Sequence, residues 1–581
     1  MRYHDLLARS LAPLPPASIV PDMATTRLSR HTDDSSGSAA LAWAHLPTTA
    51  FADIARRPGA LALLPVHGHA DHGLGLPLDA EEQLAAPLLA AATATTATAA
   101  TATAIVAAAA TATASVCVLP PFRFGPAPYP CCFFGIDPDT ARDALLELAD
   151  GVRRAGFEKL LLFSTCPWHR EWLNAAALDI RVETGLRVYR LHLSALDLDF
   201  HPAAPETRRI AAQSLVSWLS GSAPEPVTRA GDVSDATFRP GCFRQPPPLS
   251  ADNIASVPDA PGLFAAATAR LAALLAELSP PPPPPPPLPG HHPATPVPVR
   301  TPDSGHQTPP GYYLPSLTRD RLEAIAPADR ARAIVILPTG AIEQHGPHLP
   351  VGTDALIGQA LPARALDRLH SALPSPSLPP PPVYVAPPLL VGKSTEHRSF
   401  AGTLTHSTRT FRSLLRAQAA QLHRLGFRTL AILNTHGGNS AVLTYTLREL
   451  QTDPALPGLR AGMLTHGYKP AELSAREAAF GFHAGEWETS LMLAIAPDLV
   501  RMDRALCAWP ARLDDPGTLR PEGAPLTFAW ATEDISPTGV MGDATRATPG
   551  KGVRWLAAAA DCLAAAIRNL PGILSEPGIN R

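Results

Sequence analysis

A glutamate, a histidine and an aspartate lie within one stretch, Ala341-Ile-Glu-Gln-His-Gly-Pro-His-Leu-Pro-Val-Gly-Thr-Asp354. It follows the apolar run Ala333-Ile-Val-Ile-Leu337, short, β-branched and bounded by Pro338 and Gly340, the pattern of a buried parallel strand running out into a loop. In extended chain, residues two apart point the same way, so Glu343 and His345 can present a carboxylate and an imidazole to one point. Asp354 stands at the far end of a loop stiffened by Pro347 and Pro350 and can fold back to add a second carboxylate. Together they form an oxygen-and-nitrogen set suited to a divalent ion of borderline or hard character. A lone Glu-x-His after a strand is more often a loop hydrogen bond, so the wider context decides.

Two later stretches supply that context. Leu430-Ala-Ile-Leu-Asn-Thr-His-Gly-Gly-Asn439 is again an apolar strand whose end delivers His436, and Gly437 and Gly438 permit close backbone approach to a ligand. His483-Ala-Gly-Glu-Trp-Glu-Thr-Ser490 leads into Leu491-Met-Leu-Ala-Ile495. If His483 opens the first turn of a helix, His483 and Glu486 sit three apart on one face and converge on the same centre. Glu488 then points elsewhere, to brace a ligand from behind. Trp487 reads as core rather than as a lid.

These motifs resemble the creatininase (creatinine amidohydrolase) family. The resemblance rests on Glu343-Gln-His-Gly-Pro-His-Leu-Pro with Thr353-Asp354, Gly392-Lys-Ser-Thr-Glu-His-Arg-Ser-Phe-Ala-Gly-Thr403, Asn434-Thr-His-Gly-Gly-Asn439 and His483-Ala-Gly-Glu-Trp-Glu-Thr-Ser490. Gly539-Val-Met-Gly-Asp-Ala-Thr545 and Gly550-Lys-Gly552 are similar to its C-terminal signature, so the match runs from about Tyr312 to about Leu570. It implies a three-layer α/β/α fold with a mostly parallel sheet, a two-metal centre, and hydrolysis of a cyclic or linear amide, with a small-molecule amide as partner. It also implies that Ser394, Glu396 and His397 line the substrate pocket, where Lys393 can pair with an acidic group. There are two departures. Ala401 stands where the family usually has Pro, and Gly438 stands where creatininases proper carry a metal-binding Glu, which points away from creatinine itself. Glu486 is the candidate to replace that carboxylate. The expected centre is two divalent ions (zinc, manganese or iron) held by Glu343, His345, Asp354, His436 and Glu486, with Asp354 bridging. His483 would carry a proton to the leaving nitrogen. A peptidase or deformylase on a longer substrate, and a non-catalytic binding protein, are the alternatives.

The same plan is legible a second time. Leu61-Ala-Leu-Leu-Pro-Val-His-Gly-His-Ala-Asp-His72 falls on the strand and loop at Ile334 to His345 without a gap, and Gly156-Phe-Glu-Lys-Leu-Leu-Leu-Phe-Ser-Thr-Cys166 falls on Gly426 to His436. The ligands do not survive: Ala70, Glu81 and Cys166 stand where Glu343, Asp354 and His436 do, and only His72 is retained, opposite His345. His67, His69, Asp71 and His72 form a separate cluster with no distant partner evident. The expected organisation is a disordered leader (1–40), a degenerate creatininase-like lobe (41–278) with a low-complexity Ala/Thr insertion (90–114), a Pro-rich linker (279–310) and a hydrolase lobe (311–575). With 581 residues, two or three domains are expected.

The net charge of −3, with no basic run, argues against a nucleic-acid partner. The 67 Pro and 17% charged residues depart from the usual figures of about 5% and about 25% and reflect Ala and Pro richness, not membrane burial. No signal peptide and no unbroken apolar stretch of spanning length is read, so a cytoplasmic protein without a membrane partner is expected. Seven Cys without a CxxC pair suggest free thiols. The family resemblance implies a homo-oligomer, or a tandem chain that imitates a dimer internally.

Overall fold

Each short apolar run of the sequence becomes a parallel strand in the computed structural model, which describes residues 41–94, 116–127, 131–202, 204–224, 259–279, 308–309, 311–371, 381–510, 519–520, 526–527 and 529–575. The expected leader, most of the Ala/Thr insertion and nearly all of the Pro-rich linker lie outside the described residues. The first four residues assigned to the insertion, Ala90 to Thr93, instead close a helix. Alanine is the strongest helix former, and this end of the tract carries the apolar face of the preceding turns.

The first sheet holds β1 (Leu41–Ala42), β2 (Leu61–Val66), β3 (Val116–Val118), β4 (Lys159–Ser164) and β5 (Arg187–His192), all parallel, in the order β1-β3-β2-β4-β5. The second holds β6 (Ile334–Thr339), β7 (Val383–Val385), β8 (Thr429–Asn434) and β9 (Arg460–Leu464), also parallel, in the order β9-β8-β6-β7. Tyr313 bridges Val385 at the edge, as Leu41 pairs with Cys117 in the first sheet. With that bridge counted, the two sheets have the same strand order, and the internal repeat is present in space.

Strands covered on both faces read as unbroken apolar runs, and β6 shows why. Its Val335 and Leu337 face one layer while Ile334 and Ile336 face the other. In the N-terminal lobe the outer layer is α1 (Ala80–Thr93), α4 (Glu206–Ser220) and α5 (Ala260–Leu278), and the inner layer is α2 (Pro138–Arg154) and α3 (Arg170–Thr184). In the C-terminal lobe α7 (Thr408–Arg424) and α8 (Ser440–Thr452) form the inner layer, and α6 (Thr353–Ser371), α9 (Glu486–Ile495) and α10 (Pro549–Ser575) the outer one. Each lobe is thus a three-layer α/β/α unit. By length and composition α5, 19 residues long, is apolar enough to cross a membrane, although Pro261, Gly262, Arg270 and Glu277 interrupt its apolar run. Its Ala267, Leu271 and Leu275 are buried in the N-terminal core, where it packs on α1 and α4.

The two inner layers meet in one core. α2 packs on α7, and the apolar cluster that includes Leu145 and Leu148 continues through Phe411, Leu414 and Leu415 into the second sheet. Fully buried Trp43 donates from Nε1 to Gly402 O at 2.9 Å and lies 4.6 Å from the Phe51 ring. Gly402 has φ 89°, and a Cβ there would fall 2.2 Å from the Phe51 ring, so glycine is required by conformation and by space together. Polar contacts lock the register: Glu147 accepts from His406 Nδ1 and Thr410 Oγ1, each at 2.8 Å, and Gln418 Nε2 donates to Phe134 O at 2.8 Å. Because the core is shared, the two lobes should unfold in one cooperative transition. Trp43→Ala is expected to lower stability by about 3–5 kcal/mol in chemical denaturation, the range for deleting a buried large aromatic; separate transitions for the two lobes in the native chain would contradict the shared core.

Candidate metal centre

The loop after β6 is held as tightly as the strand that feeds it. A Cβ on Gly340 would fall 2.9 Å from the Ala355 backbone, so the strand end packs against the first turn of α6. Glu343 N donates to Val351 O at 2.8 Å, closing the loop on itself, and Gln344 N donates to Thr403 Oγ1 at 3.1 Å. Glu343 and His345 are completely buried, and Asp354, second residue of α6, is nearly so. At the end of β8, Asn434 clasps the turn by donating from Nδ2 to His436 O at 2.8 Å.

Backbone carbonyls choose the imidazole faces. His436 Nε2 donates to Lys393 O at 2.9 Å, which leaves Nδ1 facing Glu343 Oε1 and Asp354 Oδ2, both at 3.2 Å. His345 Nδ1 donates to Glu343 O at 3.0 Å, which leaves Nε2 facing Asp354 Oδ1 at 3.3 Å and Glu488 Oε2 at 3.8 Å. Donors about 2.1 Å from one tetrahedral ion lie roughly 3.4 Å apart, so both spacings are those of coordination edges. Glu343 Oε1 and Oε2, His345 Nε2 and Asp354 Oδ2 are buried without a hydrogen-bond partner. A buried polar atom of that kind is costly unless something answers it, and these point at common centres. The donor set of carboxylates and imidazoles fits divalent metal.

The electrostatics agree. Burial favours neutral imidazole, yet the Asp354, Glu488 and Glu343 carboxylates push His345 up to about 10. His436 is likewise raised against its burial, by Glu343 and Asp354. Burial pushes Glu488 up to about 7, with His345 opposing, while Asp354 is held low by His345 and His436 in spite of its own burial. The field at both imidazoles favours positive charge. His483 differs: burial and then the His345 charge hold it well below its usual value. Its Nε2 donates to Gln344 O at 2.8 Å, so Nδ1 carries the lone pair and faces Glu343 Oε1 at 3.7 Å.

Glu486 is corrected. Its buried carboxylate pairs with Lys551 Nζ and lies 3.8 Å from Arg546 Nε, away from the centre, and the inner carboxylate is Glu488. The helical spacing from His483 does not apply, because α9 begins only at Glu486. His483 is in an antiparallel bridge with Met541 and Ala484 turns through φ 52°. Two residues apart at a helix start face opposite ways, so the two glutamates exchange the expected roles. Extended chain through His483 would have been the signal for Glu488.

The expected substrate-side residues also converge. Ser394 Oγ lies 3.2 Å from His436 Nε2, and His397 Nε2 lies 3.5 Å from Glu343 Oε1 with its ring stacked 4.3 Å from His483. Gln344, not anticipated, reaches both histidines, with Nε2 2.9 Å from His397 Nδ1 and 3.0 Å from His483 Nε2. Gly437 has open space where a side chain would go, whereas Gly438 is tightly enclosed. Trp487 is half-buried and stacks between Trp555 and His466.

The N-terminal lobe shows the same place without the ligand set. His72 Nε2 faces Glu81 Oε1 at 3.2 Å, and Gly68 N and Thr165 Oγ1 donate to Glu81 Oε2 at 2.8 and 2.9 Å. A Cβ on Gly68 would fall 2.6 Å from Cys166 Sγ. His67 and His69 are pushed by burial to about 4 and about 3. Among the described residues, every group of three or more ligand-type side chains close enough to share an ion lies in the C-terminal lobe.

Comparison with known proteins agrees with this picture. The model of the creatininase (creatinine amidohydrolase) family matches residues 44–228 and 317–567. The chain therefore belongs to the creatininase family and is a metal-dependent hydrolase of that type. It is 35% identical over 243 residues to the mycofactocin precursor peptide peptidase of Mycobacterium ulcerans (strain Agy99), covering 41% of this chain and 86% of that protein. It is 30% identical over 217 residues to the creatinine amidohydrolase of Pseudomonas putida, covering 34% of this chain and 77% of that protein. Among solved structures, a manganese creatininase aligns with a TM-score of 0.37 at 26% identity, over 45% of this chain and 98% of its own.

The corrected carboxylate assignment can be tested directly. Glu488→Gln is expected to lose about one equivalent of bound Mn²⁺ by elemental analysis. Glu486→Gln should keep full metal content while losing about 1–3 kcal/mol of stability, because a buried charge pair is broken. The reverse pattern would restore the original assignment.

Proposed function

We propose that the C-terminal lobe hydrolyses a C–N bond in a small amide or short peptide at a centre of two divalent ions. The observation that carries this reading is the placement of Asp354, whose two oxygens each face a different imidazole, with Glu343 completing one set and Glu488 the other. Ions bound there supply Lewis acidity toward the amide carbonyl and lower the pKa of solvent held near them.

The chain's own residues supply the rest. His483, neutral and anchored through Nε2–H on Gln344 O, offers Nδ1 as proton acceptor from the attacking solvent and then as donor to the leaving nitrogen. His397, held by Gln344 and Thr532 Oγ1 at its Nδ1, turns its other ring nitrogen toward the same oxygen of Glu343, 3.5 Å away. Burial of Gln344, Ser394, Glu343, His345, Asp354 and His436 keeps bulk water from the reacting groups. To Lys393, whose Nζ donates to Thr395 Oγ1 on the flanking turn, this reading gives an anionic end of the substrate. Two facts favour a linear peptide bond over creatinine: the curated relatives named as peptide peptidases, and the absence of a carboxylate at position 438. The carboxylate and imidazole set accepts zinc, manganese and iron alike.

Turnover of short peptides and small amides by the metal-loaded chain tests the reading. Glu343→Ala is expected to abolish turnover while the fold persists. His483→Ala should lower kcat by about 10²- to 10⁴-fold with metal content unchanged. Undiminished turnover in either variant would contradict the assignment.

A further inference from the structure

Gly438 is glycine for lack of room. A Cβ there would fall 2.3 Å from Glu396 Oε1, 2.4 Å from Lys393 O and 2.5 Å from His436 Nε2. Its neighbour Gly437 has nothing within 4 Å of the same position. Glycine at 438 leaves space over the imidazole that a carboxylate from another loop has entered.

That carboxylate is carried by the single turn Thr395–His397, and the turn is pinned on both sides. Thr532 Oγ1 donates to Glu396 O at 2.9 Å, and the next residue, His397, is buried among the centre's imidazoles. The Glu396 side chain is 21% exposed, and the nearest cationic group to it is His436 Nε2, 3.9 Å away and already committed to Lys393 O. Ligand atoms of Glu343, Glu396 and His436 all lie within 4.8 Å of one another. Both oxygens of Glu343 are buried and without a hydrogen-bond partner. Two carboxylates this close, in a site mostly removed from water, repel unless a cation stands against both.

We infer that Glu396 supplies a carboxylate oxygen to the ion held by Glu343, Asp354 and His436, and that Gly438 is the residue that admits it. The inference rests on the two-ion reading above and adds a ligand to it, from the turn that also carries Ser394. A side chain at 438 would crowd the Glu396 carboxylate where it stands, so the added ligand comes from a segment separate from the strand-end loop of β8. The outer face of the ion is then set by a turn that also borders the mouth of the site, which couples metal retention to the residues that meet substrate.

The test uses the full chain, stripped with chelator and titrated calorimetrically with Mn²⁺ alone, with metal content measured after gel filtration. The wild-type chain is expected to take two ions. Glu396→Gln, which keeps shape and hydrogen-bonding capacity, should weaken one of the two sites by about 10- to 100-fold and leave the other unchanged. If the wild type takes two ions and Glu396→Gln binds both with unaltered affinity, the carboxylate serves only to shape the turn and the inference fails alone. If the wild type takes fewer than two ions, the two-ion reading fails and this inference with it.

Discussion

One carboxylate shared by two imidazoles organises the C-terminal lobe. Asp354 meets His345 through one oxygen and His436 through the other, and each imidazole is turned toward it by a backbone carbonyl behind the ring. The aspartate is at the start of α6, where the positive end of the helix dipole favours its charge. Strand β6 delivers the loop, the Gly340 contact with α6 sets its exit, and β8 delivers His436. Sites at the carboxyl ends of parallel strands are the rule for open α/β sheets, and here three chain segments meet at that edge.

The duplicated lobe shows what happens when that demand is lifted. It keeps the strand order and the layers, but Glu81 faces His72 directly and takes donors from Gly68 and Thr165. Those donors answer only Glu81 Oε2; Glu81 Oε1, against His72, is buried without a hydrogen-bond partner, as Asp354 Oδ2 is in the second lobe. The duplicated lobe packs against the second lobe. Its helix α2 covers apolar surface of α7, and Trp43 and Glu147 grip the segment 402–410 that follows the Ser394–His397 turn.

The strands were legible because a parallel strand buried on both faces leaves a run such as Ile334 to Leu337 with no polar interruption. Glu343, His345, Asp354 and His436 were legible because extended backbone and strand ends fix where such side chains point. Glu486 and Glu488 were exchanged because helical spacing was applied to a segment whose backbone reverses at Ala484, and nothing about an alanine announces φ 52°. The closeness of Glu396 to Gly438 was not legible, because it depends on two loops about forty residues apart meeting over one imidazole.

Anomalous diffraction from crystals of the full chain grown with Mn²⁺ tests the central claim most directly. Two peaks about 3.5–4 Å apart are expected on either side of Asp354, one against Glu343 and His436 and the other against His345 and Glu488. A single peak, or none within coordinating distance of Asp354, would contradict a shared carboxylate at the heart of a two-ion centre.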